Sequence, residues 1–228
     1  MNTCAVIVAA YDAAEWLPHL VWSFRGQIPH PGWEYELRIG VDGCSSTRAA
    51  LEDLGHPFWW SEKNVGAYLI RNSLTDLESA DAYSTFDADD YMLPHFLTSL
   101  LDIVESGRIA GPARVEFRSN GPRIIPFQGG ILTFSHNVWT QLGGYRPDRV
   151  ASDTDFLHRA RKLGITASST SEPVFVRRVH DRNTTSHRLI GLRTQYRKRI
   201  KEKHKTLRNN DLLQIELETV DLHFHPGS

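Results

Sequence analysis

The chain opens on a short apolar run rich in valine and isoleucine, Thr3 to Ala10, closed by Tyr11 and Asp12. An apolar run of this length without polar alternation predicts a strand buried on both faces. Trp16, Leu17, Leu20, Val21 and Phe24 then recur at helical spacing, and Asp12 and Glu15, three apart ahead of them, have the look of a capping box. Residues 34–41 predict a second strand ended by Asp42-Gly43, and 53–60 a turn with a short third strand. Leu69, Ile70, Leu74 and Leu77 give 64–78 a helical period. Residues 81–86 predict a fourth strand, and Pro94 suits the first turn of a helix reaching about Glu105.

Four strand–helix alternations in this stretch predict an α/β domain on a mainly parallel sheet. Ligands of such sheets bind at the carboxyl ends of the strands. The unusual residues fall at those ends: Tyr11-Asp12, Asp42-Gly43 and Asp87-Ala88-Asp89-Asp90. Beyond residue 105 the pattern is less regular. Strands are predicted at 109–117 and 123–134, around Asn120-Gly121-Pro122, and helices at 135–142 and 153–163. A strand at 174–179 and a long helix over 188–208 follow. No repeat or linker interrupts the chain, so one domain over 1–187, with halves 1–105 and 106–187, is expected to carry a C-terminal helix and tail, 188–228.

Composition, 40% hydrophobic and 23% charged over 228 residues, is that of an ordinary globular protein. The longest apolar run is far short of the roughly 18 residues a membrane span needs. The first residues lack a basic flank, which argues against a signal peptide. Cys4 and Cys44 are too few for a disulfide framework and are expected to be small buried hydrophobes in a reducing, cytoplasmic setting. Charge changes the picture more. Residues 177–208 carry 12 Lys+Arg and only Asp181 and Glu202 as acids, so the remaining chain is strongly acidic although the net charge is −1. Such a split points to an anionic partner, or to a solvated basic helix. Leu189, Leu192, Tyr196 and Ile200 are expected to pack on the domain, with Arg193, Arg197, Lys201 and Lys205 as a cationic stripe beside them. An anionic glycan, a membrane surface bearing a lipid-linked acceptor or a nucleic acid would suit that stripe, and the lack of a hydrophobic anchor argues against deep insertion.

Several side chains are candidates for chemistry. In an extended chain Asp87 and Asp89 point the same way, roughly 6–7 Å apart. At an effective dielectric near 20 their charges repel by about 2.5–3 kcal/mol. A divalent cation relieves that repulsion, and oxygen ligands suit Mg²⁺ or Mn²⁺; acids ahead of Pro94 also suit a helix N-terminus. Asp153 lies three and four residues before Phe156 and Leu157 and shares their inward face, where a carboxylate can act as a general base. Asp155 falls beside Arg159 and Lys162, on what the spacing makes the outer face. His180 ends an apolar strand, a position open to a metal ligand or to an ordinary hydrogen-bonded histidine. His223 and His225 read as a frayed tail.

Taken together, these pieces resemble glycosyltransferase family 2, with its GT-A nucleotide-sugar fold, over roughly residues 3–187. Val6-Ile7-Val8-Ala9-Ala10-Tyr11-Asp12 is similar to the family's opening strand and nucleotide loop, with Asp12 where Asn is usual. Ile39-Gly40-Val41-Asp42-Gly43 resembles its second strand and turn, and Asn64-Val65-Gly66 with Arg71-Asn72 its third element. Phe86-Asp87-Ala88-Asp89-Asp90 resembles its D-x-D segment. Leu142-Gly143-Gly144-Tyr145 followed by Ser152-Asp153-Thr154-Asp155 resembles its acceptor side, with Ser152 where Glu is frequent. Residues 179–186, beginning Val179-His180-Asp181-Arg182-Asn183, resemble its closing histidine segment.

The resemblance implies an inverting, metal-dependent transfer of a sugar from a nucleoside diphosphate sugar (UDP-, GDP- or dTDP-linked) to an acceptor hydroxyl. The acceptor would be a saccharide or glycoconjugate, with protein or modified DNA as alternatives. It makes residues 1–105 the nucleotide-binding half and 106–187 the acceptor-side half. Ala9, Tyr11, Asp12, Asp42, Arg71, Asp87 and Ala88 would line the nucleotide. Asp87, Asp89 and His180 would hold Mn²⁺ or Mg²⁺, and Asp153 would be the catalytic base. Arg177, Arg178 and Arg182 would stand near the diphosphate. The alternative is a catalytically inactive module that binds nucleotide sugar or glycan.

Overall fold

The computed structural model describes residues 1–118, 121–127, 129–183, 188–209 and 213–227. In chain order the elements are β1 (Asn2–Ala10), α1 (Leu17–Arg25), β2 (Trp33–Asp42), α2 (Ser45–Asp53), β3 (Phe58–Ser61), α3 (Ala67–Asp76), β4 (Ala82–Asp87), β5 (Tyr91–Met92) and α4 (Phe96–Glu105). They continue with β6 (Ile109–Arg118), β7 (Gly121–Ile125), β8 (Thr133–Ser135), α5 (His136–Leu142), α6 (Ser152–Lys162), β9 (Ala167–Arg177), α7 (Gln195–Asn209) and β10 (His223–His225).

The strands form one mixed sheet in the order β10-β3-β2-β1-β4-β8-β6-β9-β5, with β7 on β6. Strands β3, β2, β1 and β4 are parallel, and β8 turns antiparallel against β4. The expected α/β class with a mainly parallel sheet is therefore present: β6 and β9 form a further parallel pair, joined to the first half through antiparallel β8. Alternation along β1 explains the unbroken apolar run. Cys4, Val6, Val8 and Ala10 enter one core with Leu17, Leu20, Leu51, Phe96 and Leu100. Ala5 and Ile7 enter the other with Ile70, Leu74, Trp139, Leu142 and Phe156. A strand covered by helices on both faces has no polar side to show. No helix among the described residues is long and apolar enough to cross a membrane.

Several local expectations are corrected. Helix α2 is additional; its sequence buries only Thr47 and Leu51, too weak a pattern to read. The run 123–134 is divided between β7 and β8. Asp12 and Glu15 do not cap α1: Asp12 takes a positive φ of 50°, and both acids pair with Arg182. Helix α7 begins at Gln195, and Leu189, Leu192 and Tyr196 are exposed rather than packed. Its buried contact is His204, which with Lys203 holds Asp148. Of the expected stripe Arg193, Lys201 and Lys205 are exposed and Arg197 is half-buried; Lys198 joins Lys201 and Lys205 on one exposed side, with Glu202 beside them.

The residues expected to fray instead return to the domain. The Ile215 N–H donates to the Leu142 carbonyl, the Asn72 amide to the Glu218 carbonyl, and the Val220 N–H to the Ser73 hydroxyl. β10 then pairs antiparallel with β3, stacking His225 on Phe58, Phe224 on Trp59 and His223 on Trp60. Gly143, at φ 69°, ends α5 where a Cβ would lie 1.8 Å from the Ile215 carbonyl oxygen. Only glycine tolerates both that turn and that approach.

Candidate functional site

The carboxyl ends of β1 and β4 are locked side by side, with Ala9 opposite Asp87 in register. The chain then leaves β4 through a turn in which the Asp90 N–H donates to the Asp87 carbonyl. That turn brings ligand oxygens of Asp87, Asp89 and Asp90 within 4.8 Å of one another. Asp90 is 2% exposed, and burial together with the charges of Asp89 and Asp87 pushes its carboxyl well above the usual range. The Asp87 and Asp89 side chains keep 44% and 22% of their exposure, so the cluster opens to solvent through them.

Three groups hold Asp87 and Asp89 in place. Arg71, 5% exposed on α3, donates to Asp87 at 2.7 Å. His180 Nε2 lies 2.9 Å from Asp89 Oδ2, and the Asn183 amide donates to the same oxygen at 2.8 Å. The Asn183 side-chain oxygen in turn accepts from the His180 N–H. Trp16 stacks on the His180 ring at 4.4 Å, with the Arg182 guanidinium 4.5 Å from the Trp16 ring. His180 Nδ1 is buried without a hydrogen-bond partner among the described residues. Three carboxylates that repel one another are a donor set that fits a hard divalent cation such as Mn²⁺ or Mg²⁺, and His180 touches that set at Asp89.

Asp153 sits on the first turn of α6, 9% exposed. Its carboxylate faces Gly130 and the Tyr68 hydroxyl, and Tyr68 is pushed well above the usual phenol range by burial and by Asp153. Tyr68 and Arg71 are three apart and share one face of α3. One helix therefore carries Asp153's neighbour and Asp87's partner side by side, and the Arg71 guanidinium feels both acids. Asp153 thus faces inward as its spacing predicts.

Asp155 does not lie on an outer face. It is fully buried, its Oδ2 accepting from Arg146 at 3.0 Å and Arg159 at 2.8 Å, and its Oδ1 from Arg208 at 2.6 Å. Burial alone would raise its carboxyl, but Arg159 and Arg208 outweigh it and the net direction is down.

On the donor side, Tyr11 is 57% exposed beyond β1, and Ala88 is buried under the acidic turn. Asp42 is 4% exposed, and its carboxylate accepts from the Val65 N–H at 2.6 Å and the Gly66 N–H at 3.0 Å. It pins the loop ahead of α3. Cys44 caps α2 beneath the nucleotide-loop candidate. Burial would raise its thiol, but bonds from Ser46, Thr47 and Asp12 lower it to about 7, so it is no inert hydrophobe; Cys4 is one, fully buried and pushed up to about 12. The three arginines are all engaged: Arg177 with Glu116, Arg178 with the Asp89 carbonyl, and Arg182 with Asp12 and Glu15. Trp16, Tyr68 and Asn183 were not legible as site residues, although Tyr68 falls one helical turn before Arg71. Residues 184–186 of the closing segment lie outside the described residues.

No family model and no curated protein matches the chain. Solved structures do. TarS from S. aureus in complex with UDP-GlcNAc superposes at a TM-score of 0.64 and 13% identity, over 79% of this chain and 59% of that one. The mannosyltransferase PcManGT from Pyrobaculum calidifontis, in complex with GDP-Man and Mn²⁺, gives 0.66 and 14% identity, over 80% and 59%. The chain thus spans about 60% of the length of these neighbours. The fold is that of the GT-A-type glycosyltransferases.

Proposed function

We propose that the protein is an inverting, metal-dependent glycosyltransferase that moves a sugar from a nucleoside diphosphate sugar to an acceptor hydroxyl, a saccharide or glycoconjugate in the first instance. The observation that carries this reading is the pairing of two acidic stations by α3: the Asp87/Asp89/Asp90 cluster through Arg71, and Asp153 beside Tyr68. It is supported by the neighbours crystallised with UDP, UDP-GlcNAc and GDP-Man with Mn²⁺.

In this reading residues 1–105 take the donor, 106–187 present the acceptor, and 188–228 form the basic helix and the returning tail. Tyr11 flanks the base, with Ala9 and Asp12 beside it, and Ala88 lies under the sugar diphosphate. Asp42 sets the base and ribose wall through the loop it pins. Asp87, Asp89 and His180 hold Mn²⁺ or Mg²⁺, which when bound supplies positive charge to the departing diphosphate. Asp153 accepts the proton of the acceptor hydroxyl. The acceptor oxygen forms its bond to the anomeric carbon as the bond to the diphosphate oxygen breaks on the opposite side, and the diphosphate leaves with that electron pair. One base and one displacement give inversion. We assign the basic segment 188–208 an anionic partner, and a cytoplasmic location suits its reduced thiols.

The test is a panel of nucleotide sugars with Mn²⁺, followed by release of nucleoside diphosphate. Asp153→Asn is expected to abolish transfer with donor affinity retained, and Asp89→Asn to weaken Mn²⁺-dependent nucleotide binding. Nucleotide binding without hydrolysis or transfer of any sugar would favour the inactive binding module instead.

A further inference from the structure

Helices α6 and α7 present a face that the chemistry above does not use. Between α6 and the starts of β6 and β9 lies an open groove of about 370 Å³, lined by Ile109, Phe127, Leu157, Ala160 and Ile165. His158 and Arg161 stand on its rim. α7 lies along α6 there: Arg208 donates to Asp155, three residues before His158, and Lys162 donates to the Arg208 carbonyl. One side of α7 is held to the domain by polar bonds: Lys203 and His204 to Asp148, and Arg208 to Asp155. Lys198, Lys201 and Lys205, spaced three and four apart, are exposed. No acidic side chain pairs with them among the described residues. Just before α7, Leu189 and Leu192 are 69% and 58% exposed, and Tyr196 follows at 39%.

We propose that this face docks on an anionic lipid bilayer, with an acyl chain in the groove and lipid phosphates against Lys198, Lys201 and Lys205. Cations alone suit any polyanion, nucleic acid included. An apolar groove against the helix that carries those cations, and the exposed leucines that precede it in the chain, gain nothing from a polyanion. Both gain from a bilayer, whose surface offers anionic headgroups above hydrocarbon. The attachment is peripheral. In sequence the leucines fall between Asn183, which donates to Asp89, and His204, which bonds Asp148. The inference does not depend on glycosyl transfer.

The experiment is co-sedimentation of the full chain with vesicles of phosphatidylcholine alone, or with phosphatidylglycerol in equal parts. Binding is expected only with phosphatidylglycerol and is expected to fall with added salt. Lys198→Gln, Lys201→Gln and Lys205→Gln together are expected to weaken partitioning about a hundredfold, at about 1 kcal/mol per lysine. Leu189→Ser with Leu192→Ser, at exposed positions that leave the core untouched, is expected to weaken it at least tenfold on the scale of buried methylenes. Equal binding to both vesicle types, or no binding, overturns the proposal. So does binding of single-stranded DNA or soluble glycerol phosphate as strong as vesicle binding and unchanged by the leucine variants. Thermal shift with nucleotide, run on the same variants, keeps this outcome separate from any failure of the donor site.

Discussion

Asp155→Asn replaces the one anion that three guanidinium groups share. The carboxylate has no exposure, and all three arginine side chains are at most 13% exposed. Arg159 also donates to the carbonyls of Leu142, Gly144 and Leu213, so it cannot swing out to water without uncoupling α5 and the returning tail. An asparagine keeps the shape but removes the charge and turns an N–H₂ donor toward one of the arginines. Removing one partner of a buried ion pair costs about 3–5 kcal/mol, because the remaining charge stays buried. Against a total stability of roughly 5–15 kcal/mol this is a large fraction. For a chain of this length the loss corresponds to a fall in Tm of about 6–20 °C. Urea denaturation followed by circular dichroism gives the free energy directly, with Asp153→Asn, two residues away, as the comparison expected to stay near wild type. A loss below about 1 kcal/mol for Asp155→Asn would refute the reasoning, since it would mean that the arginines find water or other acceptors at little cost.

Cys44, with its thiol near 7, is expected to react with iodoacetamide with a midpoint near that pH, while Cys4 stays unmodified until the protein unfolds; mass spectrometry of peptides across a pH series checks both. Gly143→Ala forces a side chain into a left-handed turn and against the Ile215 carbonyl, so a loss of at least about 1–2 kcal/mol is expected in the same urea assay. Asp148 is held below the usual carboxylate range, first by its bond from His204 and then by Lys203, against burial. Because its folded pKa is the lower one, the stability it contributes is fully present above about pH 4 and is lost as pH falls through the folded value. Hydrogen exchange in α7 is therefore expected to stay slow down to about pH 4 and to rise below it, with Asp148→Asn exchanging fast throughout.

The parts of the fold that local pattern dictates were legible: β1 as an unbroken apolar run, β2 and β4 as short strands closed by Asp42 and Asp87, and α4 through Leu97, Leu100, Leu101 and Val104 on one face. The inward turn of Asp153 was legible for the same reason. What the pattern missed was decided by partners distant in sequence. Asp155, Arg159 and Lys162 look like a solvated face until Arg146, Arg208 and the Leu213 carbonyl are placed around them. Asp12 and Glu15 look like a cap until Arg182, about 170 residues on, takes both. Three-residue strands such as β8 and β10 bury too little of their own to leave a period. Their neighbours β4 and β3 define them.

β10 has a consequence for how the chain is made. Until residues 223–225 leave the ribosome, β3 stands with a bare edge of unpaired N–H and C=O groups, flanked by Trp59 and Trp60. An open edge of aromatic residues is a template for pairing with another chain. The β1–β4 portion can acquire its helices during synthesis, but its outer margin stays adhesive through the making of everything from β6 to α7. Translation pauses between β3 and β10 would lengthen that exposure. Recovery of soluble protein should therefore respond to elongation rate and to chaperone supply more than the stability of the finished fold would suggest.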